Sequence, residues 1–436
     1  MRGLHQATYV NPSFIPKVKV YVALPIGMQN FYYGNTGITF NDLVKKDDNG
    51  KYLFDSESVV SKLKDKNTLS FETQNEFFCV AVKAAGFYFS GSVVNRFKLD
   101  LTYPKDFVQF ALEGNGANFL DKRASFDGLA FNLSTYMEYG LGVARKIGDK
   151  LSVGGRIKLL SGGTNFTTKD LSLGIYTDPN TFDLTIDGHG EINTSGFDGL
   201  FKDSSIVKTA SDILKNNFNF KNKGFGLDLG ASYDLNDFLT ITASVIDIGS
   251  INWKNNTKNY VKEDFNFKFR GVDFNEFLSD SSKSATQILK DTITGIFKTN
   301  ENSDSYKTGL GTKYYFGAFY KLGEKMNISL LFQDYKISKT HLPALTLGFN
   351  AAVKNWLTFN INYTYANKSW SNLGLGLSIK AGGPFQTYLI TDNILGLFSR
   401  NSQKSFHICV GMAFAIKDKK VTKKVVDAIL PGDQTK

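Results

Sequence analysis

The residues of this 436-residue chain best suited to chemistry are four histidines and two cysteines. His189 alternates with Asp187 and Glu191, so the three share one polar face of an extended segment, a set that can in principle do acid–base work. A solvated loop or rim strand is the simpler account. His407 and Cys409 share the polar face of another segment. Same-face neighbours along a strand stand roughly 7 Å apart, too far for a nucleophile and its base to touch, so filling an interior explains them better. Cys79 and Cys409 alone build neither a disulfide framework nor a four-ligand zinc site, and His5, His189, His341 and His407 are scattered. A Gly-x-Ser-x-Gly elbow and a His-Glu-x-x-His helix are absent. The glycine-rich stretch Leu160–Gly163 lacks the Lys-Ser/Thr of a phosphate loop. The expectation is a protein without catalytic residues, cofactor or metal.

The elements that carry these residues announce themselves by a period of two. Leu357, Phe359, Ile361, Tyr363 and Tyr365 oppose Thr358, Asn360, Asn362 and Thr364. Phe225, Leu227, Leu229, Ala231, Tyr233 and Leu235 oppose Gly226, Asp228, Gly230, Ser232 and Asp234, and Phe406, Ile408, Val410, Met412, Phe414 and Ile416 form the apolar face of a last segment. Only side chains alternating across a pleat give this pattern. Many such segments exceed the roughly 5–6 residues of an average soluble strand. They suit a transmembrane barrel, which needs about 9–11 residues per crossing and closes so that no backbone edge meets lipid.

Composition agrees. Aromatic residues reach 14%, enough to argue against disorder, and Pro is scarce at 8. No uncharged apolar run exceeds nine residues (Val20 to Met28, Ile408 to Ile416), well short of the roughly 20 of a membrane helix. The net charge of +10 comes from interspersed basic and acidic residues, which reads as a solvated surface and not as a nucleic-acid patch. Arg96, Lys98, Asp100, Glu138, Arg156, Lys158, Asp228 and Lys380 fall on polar faces, and their mixed signs predict internal salt-bridge networks, with a polar conduction path as the other reading.

Tight polar turns at Ala84–Gly86, Gly148–Asp149, Asn236–Asp237, Gly323–Lys325, Lys354–Asn355 and Gly382–Gly383 fix the topology. In bacterial barrels short turns face the periplasm and long loops face outside. Residues 17–416 then form an all-β, antiparallel transmembrane barrel of fourteen strands, near 17–30, 69–83, 87–103, 129–147, 150–162, 224–235, 238–250, 306–322, 326–338, 342–353, 357–366, 372–381, 384–393 and 405–416. Both termini are periplasmic. Leu171–Tyr176 and Phe182–Ile186 form either an extracellular hairpin or two more barrel strands, which would make sixteen. Long outer connections at 34–68, 104–128, 163–223 and 254–305 carry helix-like stretches at Ser56–Lys64, Asp203–Leu214 and Asn275–Phe297. Residues 1–16, with Asn11, Pro12, Phe14 and Pro16, precede the barrel as an irregular segment that plugs the lumen or docks in the periplasm. Pro25 inside the first strand removes a ladder hydrogen bond and predicts a bulge or kink. Residues 417–436 form a basic periplasmic tail.

Four strings carry a family resemblance. Tyr9-Val10-Asn11-Pro12-Ser13-Phe14-Ile15-Pro16 is similar to the opening motif of Bacteroidota outer-membrane barrels. Gly154–Gly163, Asp247–Trp253 and Gly383–Asn393 resemble internal strings of one uncharacterised family in that group, which carries a domain-of-unknown-function label and whose fold looks like the FadL-type barrels. The opening also resembles the PorP/SprF-like barrels. The resemblance implies a cleaved signal peptide, which Met1–His5 does not resemble, and residence in the outer membrane among lipid and lipopolysaccharide. In FadL-like proteins an N-terminal segment plugs the lumen and a strand kink serves as a lateral exit, roles that residues 1–16 and Pro25 would match. With no catalytic residues to carry across, the expected function is a non-enzymatic subunit or scaffold of an outer-membrane assembly, partnered by other outer-membrane or periplasmic proteins. The alternative is a passive or gated transporter of small hydrophobic solutes.

Overall fold

The computed structural model describes residues 3–23, 25, 27–116, 118–196, 217–270, 299–337, 340–354, 356–366, 369–380, 383–398 and 403–417. Its barrel strands, numbered here in chain order, are β1 (Val18–Ala23 and Met28–Asn35), β2 (Lys66–Ala84), β3 (Phe87–Pro104), β4 (Ala130–Ile147) and β5 (Leu151–Thr177). There follow β6 (Asn222–Asp234), β7 (Leu239–Trp253), β8 (Tyr306–Gly309 and Lys313–Lys321), β9 (Met326–Ile337) and β10 (Thr340–Lys354). Four more complete the set: β11 (Leu357–Ala366), β12 (Ser369–Lys380), β13 (Phe385–Thr391) and β14 (Ser405–Lys417). Each strand pairs antiparallel with the next. β14 returns to β1 through Val22↔Phe414 and Phe31↔Ile408, so the fourteen-stranded cylinder has no free edge.

Side chains follow the pleat as the sequence requires. Leu141, Leu159, Phe225, Phe316 and Leu347 each leave more than half of their surface outside. Arg96, Glu138, Arg156, Lys158 and Asp228 are buried within. In water that distribution would be inverted; a hydrocarbon surround makes it the stable one. Among the described residues no helix is long and apolar enough to cross a membrane. Aromatic pairs gather at both ends of the apolar band, with Phe87/Phe89, Phe238/Tyr320 and Phe385/Phe414 near the short turns and Trp370 against Tyr363 and Tyr365 near the long loops. Aromatic girdles at both edges of an apolar band are what a barrel wall in a bilayer carries.

The turn between β2 and β3 shows how locally this is encoded. Ala85 and Gly86 both take positive φ (49° and 80°), the twist that lets a two-residue connection join twisted strands.

The ambiguous region after residue 163 is settled as a hairpin. β5 runs on past the wall, and its outer half pairs with Leu184–Ser195, which pairs in turn with Thr257–Phe269 and through it with Asn300–Asn302. These strands add a small sheet above the rim and none to the barrel, so the sixteen-strand option falls. Lys268 donates to Asp183 at 2.9 Å across the top of this sheet, which holds the Asp183 carboxyl below the usual range. The helix foreseen at Ser56–Lys64 is present as Ser56–Lys62, capped by Asp55 accepting from the Ser58 N–H. The stretches Asp203–Leu214 and Asn275–Phe297 and the tail beyond Lys417 lie outside the described residues.

Candidate functional site: a lumen closed by the N-terminal segment

The N-terminal segment lies inside the barrel, toward the short-turn end. A 3-10 helix, His5–Tyr9, leads into Asn11, Pro12, Ser13 and Phe14, all buried, and Pro16, also buried, turns the chain into β1. Asn11 is the anchor. Its Nδ2 donates to the carbonyls of Ala231 (3.3 Å) and Ala243 (3.2 Å), and its Oδ1 accepts from both the N–H and the hydroxyl of Ser13. The Ser13 hydroxyl meets that of Ser232, and Ser244 donates to the Val10 carbonyl at 2.7 Å. Phe14 packs edge-on against Phe319. The wall makes room with glycine: a Cβ on Gly154 would lie 2.2 Å from the Pro12 carbonyl oxygen, and one on Gly230 would lie 2.1 Å from Asn11 Oδ1. Two of the family-like strings, the Asn11-Pro12 opening and the one beginning at Gly154, thus meet face to face.

Above the plug the charges gather on β2 to β8. Arg96 pairs with Glu138 at 3.1 Å and Glu72 at 3.4 Å, Lys158 with Asp247 at 2.6 Å and Asp228 at 2.7 Å, and Lys313 with Glu72 at 2.9 Å. Lys98 donates to the Leu310 carbonyl, and Asp100 sits opposite Ser70. Arg156 ties this network to the plug, donating to the Thr8 hydroxyl at 3.0 Å with its guanidinium 4.2 Å from the centre of the Tyr9 ring. Five cations (Arg96, Lys98, Arg156, Lys158, Lys313) thus face five anions (Glu72, Asp100, Glu138, Asp228, Asp247). Such a set is formally neutral, as expected of a network and not of a selective ring.

A cavity of about 480 Å³ remains between the plug and the long-loop end. Leu4, Ala7, Val10 and Phe14 form its floor and Glu72, Arg96 and Lys313 one wall. The opposite wall is an amide ladder: Asn362 donates to Asn360, Asn360 to Asn350 and Asn350 to Asn327, each at 3.0–3.1 Å. Lys380 keeps the lumen parity but lies at the turn end of β12, apart from the charge cluster.

Pro25 does more than bulge the first strand. β1 stops at Ala23 and resumes at Met28. From Ala23↔Cys79 to Met28↔Glu76, β1 advances five residues while β2 advances three, and Pro25 is pushed out of the wall. Gly27 folds inward there, its carbonyl accepting from Tyr388 at 2.8 Å.

The histidine sets read from sequence disperse. His189 bonds Asp264, Asp187 bonds Arg123 and Glu191 bonds Lys169, all on the sheet above the rim. His407 meets Asn30 and Asp392 while Cys409 packs with Leu4, Met28 and Tyr388. Sequence reasoning missed Glu72 and Lys313, although simple alternation places both inward. It could not have found Asp247. Thr242, Ser244 and Ile246 face inward, so strict parity puts Asp247 outward. A bulge opposite Asp228, with Asp247 at φ 62°, turns it in. It also missed that His5 and Cys79, 74 residues apart, become neighbours.

Fold and site together define a transmembrane β-barrel whose lumen is occupied by its own N-terminal segment. The chain belongs to the family of unknown function DUF5723, whose profile matches residues 12–392. Among solved structures it is similar to the toluene transporter TodX of Pseudomonas putida (10% identity, 94% of this chain and 92% of that one, TM-score 0.40) and to a Pseudomonas aeruginosa FadL homologue (9%, 95% and 94%, 0.44). It is also similar to the translocator domain of the autotransporter NalP from Neisseria meningitidis (8%, 92% and 89%, 0.32). No curated protein matches the chain.

Proposed function

We propose that this protein is an outer-membrane transporter gated by residues 3–16, moving a small polar or amphipathic solute through the chamber above the plug. The observation that carries the reading is the cavity of about 480 Å³ behind a segment held by individual side-chain bonds. A scaffold needs only a lumen filled by side chains, and a chamber of this size exceeds that need. The lining also shifts the solute class. Asparagine amides and a balanced charge wall desolvate badly around a pure hydrocarbon, because buried polar groups would lose their partners. A molecule with hydrogen-bonding groups over an apolar part suits the polar walls and the floor of Leu4, Val10 and Phe14. Val18 and Lys417 pair at the short-turn end, which this reading places in the periplasm.

The test is removal of residues 3–16 with β1 intact. In planar bilayers the truncated barrel conducts steadily where the full chain is mostly closed. In liposome swelling it admits small amides and sugar acids. Equal conductance for both proteins refutes the gate. Co-purification of the closed, full-length barrel with a fixed set of envelope proteins, at unit stoichiometry, would favour the scaffold reading instead.

A further inference from the structure

His5, Glu76 and Cys79 converge where the plug meets the broken strand. One ligand atom from each lies within 4.8 Å of the others, and all three residues are buried. His5 Nε2 is 3.1 Å from Cys79 Sγ. Its other nitrogen meets the Tyr88 hydroxyl at 2.7 Å, and the ring stacks on Tyr21 with centroids 4.5 Å apart, so Nε2 is aimed at the sulfur. A hydrogen bond on the far nitrogen is the usual way a metal-binding imidazole is oriented. Glu76 accepts from Tyr9 on one oxygen, whereas its other oxygen, Oε1, is buried with no hydrogen-bond partner. Among the described residues Glu76 makes no ion pair, whereas Glu72, Glu138, Asp228 and Asp247 each do. The space beside Oε1 is kept open by Gly27, whose added Cβ would lie 2.4 Å from it.

We propose that His5, Glu76 and Cys79 bind a divalent transition-metal ion, Zn²⁺ being the natural fit, that latches the plug to the wall at the β1 break. The donor set is that of zinc: an imidazole, a thiolate and a carboxylate, with water completing a tetrahedron. Ligand atoms around such an ion stand roughly 3.3–3.7 Å apart, so the observed spacing closes on a metal with shifts of a few tenths of an ångström to about 1 Å. Binding balances charge: Cys79 gives up its thiol proton to solvent, and the thiolate and carboxylate together neutralise the dication. An ordinary thiol–imidazole hydrogen bond explains the short Cys79–His5 distance alone. It leaves Glu76 Oε1 without a partner, and the metal supplies one. Since His5 belongs to the plug and Glu76 and Cys79 to β2, the ion would join the movable part to the fixed one.

The site itself is independent of the transport reading, whereas its role as a latch rests on it. Full-length barrel in detergent, stripped with chelator, is titrated with Co²⁺ and with Zn²⁺. The expected result is one equivalent bound, with a near-ultraviolet sulfur-to-cobalt charge-transfer band. Cys79→Ala loses the band and binds at least tenfold more weakly, His5→Ala and Glu76→Gln bind more weakly too, and Cys409→Ala keeps both band and affinity. Heat-modifiable migration on gels confirms that each variant is a folded barrel. Folded wild type with no band at saturating Co²⁺, or Cys79→Ala binding as tightly as wild type, overturns the site. In bilayers Zn²⁺ is expected to suppress openings of wild type and not of Cys79→Ala. Bound metal without that effect overturns the latch, while the truncation separately judges the gate.

Discussion

Replacing Asn11 with alanine removes four hydrogen bonds from the middle of the plug: two to the paired carbonyls of Ala231 and Ala243 and two from Ser13. The first pair are long, at 3.2–3.3 Å, and the Ser13 hydroxyl can still reach Ser232, so the lower end of the usual range applies. At about 0.5–0.8 kcal/mol each, the loss is roughly 2–3 kcal/mol, a 30- to 150-fold shift of the docked-to-released ratio. The barrel is spared, because Ala231 and Ala243 keep their cross-strand register and only the plug loses contacts. Single-channel recording reads the ratio directly as open probability. Limited proteolysis of residues 3–16 provides a second measure that does not depend on conduction. An Asn11→Ala barrel with wild-type open probability and a protected N-terminus, alongside a conducting truncation, would refute the assignment of Asn11 as anchor.

Gly154→Val sets a side chain against the Pro12 backbone, where even a Cβ would approach to 2.2 Å. The plug should be expelled, conductance should match the truncation, and the substitution should change nothing further when residues 3–16 are absent. Lys158→Ala strands Asp228 and Asp247 inside the wall; removing one member of a buried pair costs about 3–5 kcal/mol, seen as a lower urea midpoint of barrel unfolding by tryptophan fluorescence. Restoring neutrality with Asp247→Asn, which leaves Asp228 beside Arg156, should recover most of it, and a wild-type midpoint for Lys158→Ala would show that the network carries no such load.

The wall was readable because each strand's chemistry is local: Leu357–Ala366 alternates in sequence as it does in space, and parity alone put Arg96, Glu138, Arg156 and Lys158 inward. Strand ends were less legible where the wall does not stop at the membrane, as in β5, whose polar outer half Asn165–Thr177 alternates on into the rim sheet. What sequence could not yield was anything set by closure. The meeting of His5 with Cys79, of Pro12 with Gly154 and of Lys313 with Glu72 depends on the barrel's circumference and on the chain re-entering it. Local pattern instead offered His407 beside Cys409, a pair whose strand spacing keeps them from acting together. Asp247 was hidden for a different reason, since one bulge reverses parity within a single strand.

The outer half of β5 has a further consequence. β5 stays paired with β4 as far as Thr167; at about 3.3 Å per residue, residues 168–177 extend roughly 33 Å beyond that pairing, and paired neighbours stiffen them into a mast whose tip is the turn at 178–183. An epitope inserted there would stand well away from the apolar band and from the chamber above the plug, so on the proposed orientation labels, antibodies or tethers could be mounted on the cell surface without touching the lumen.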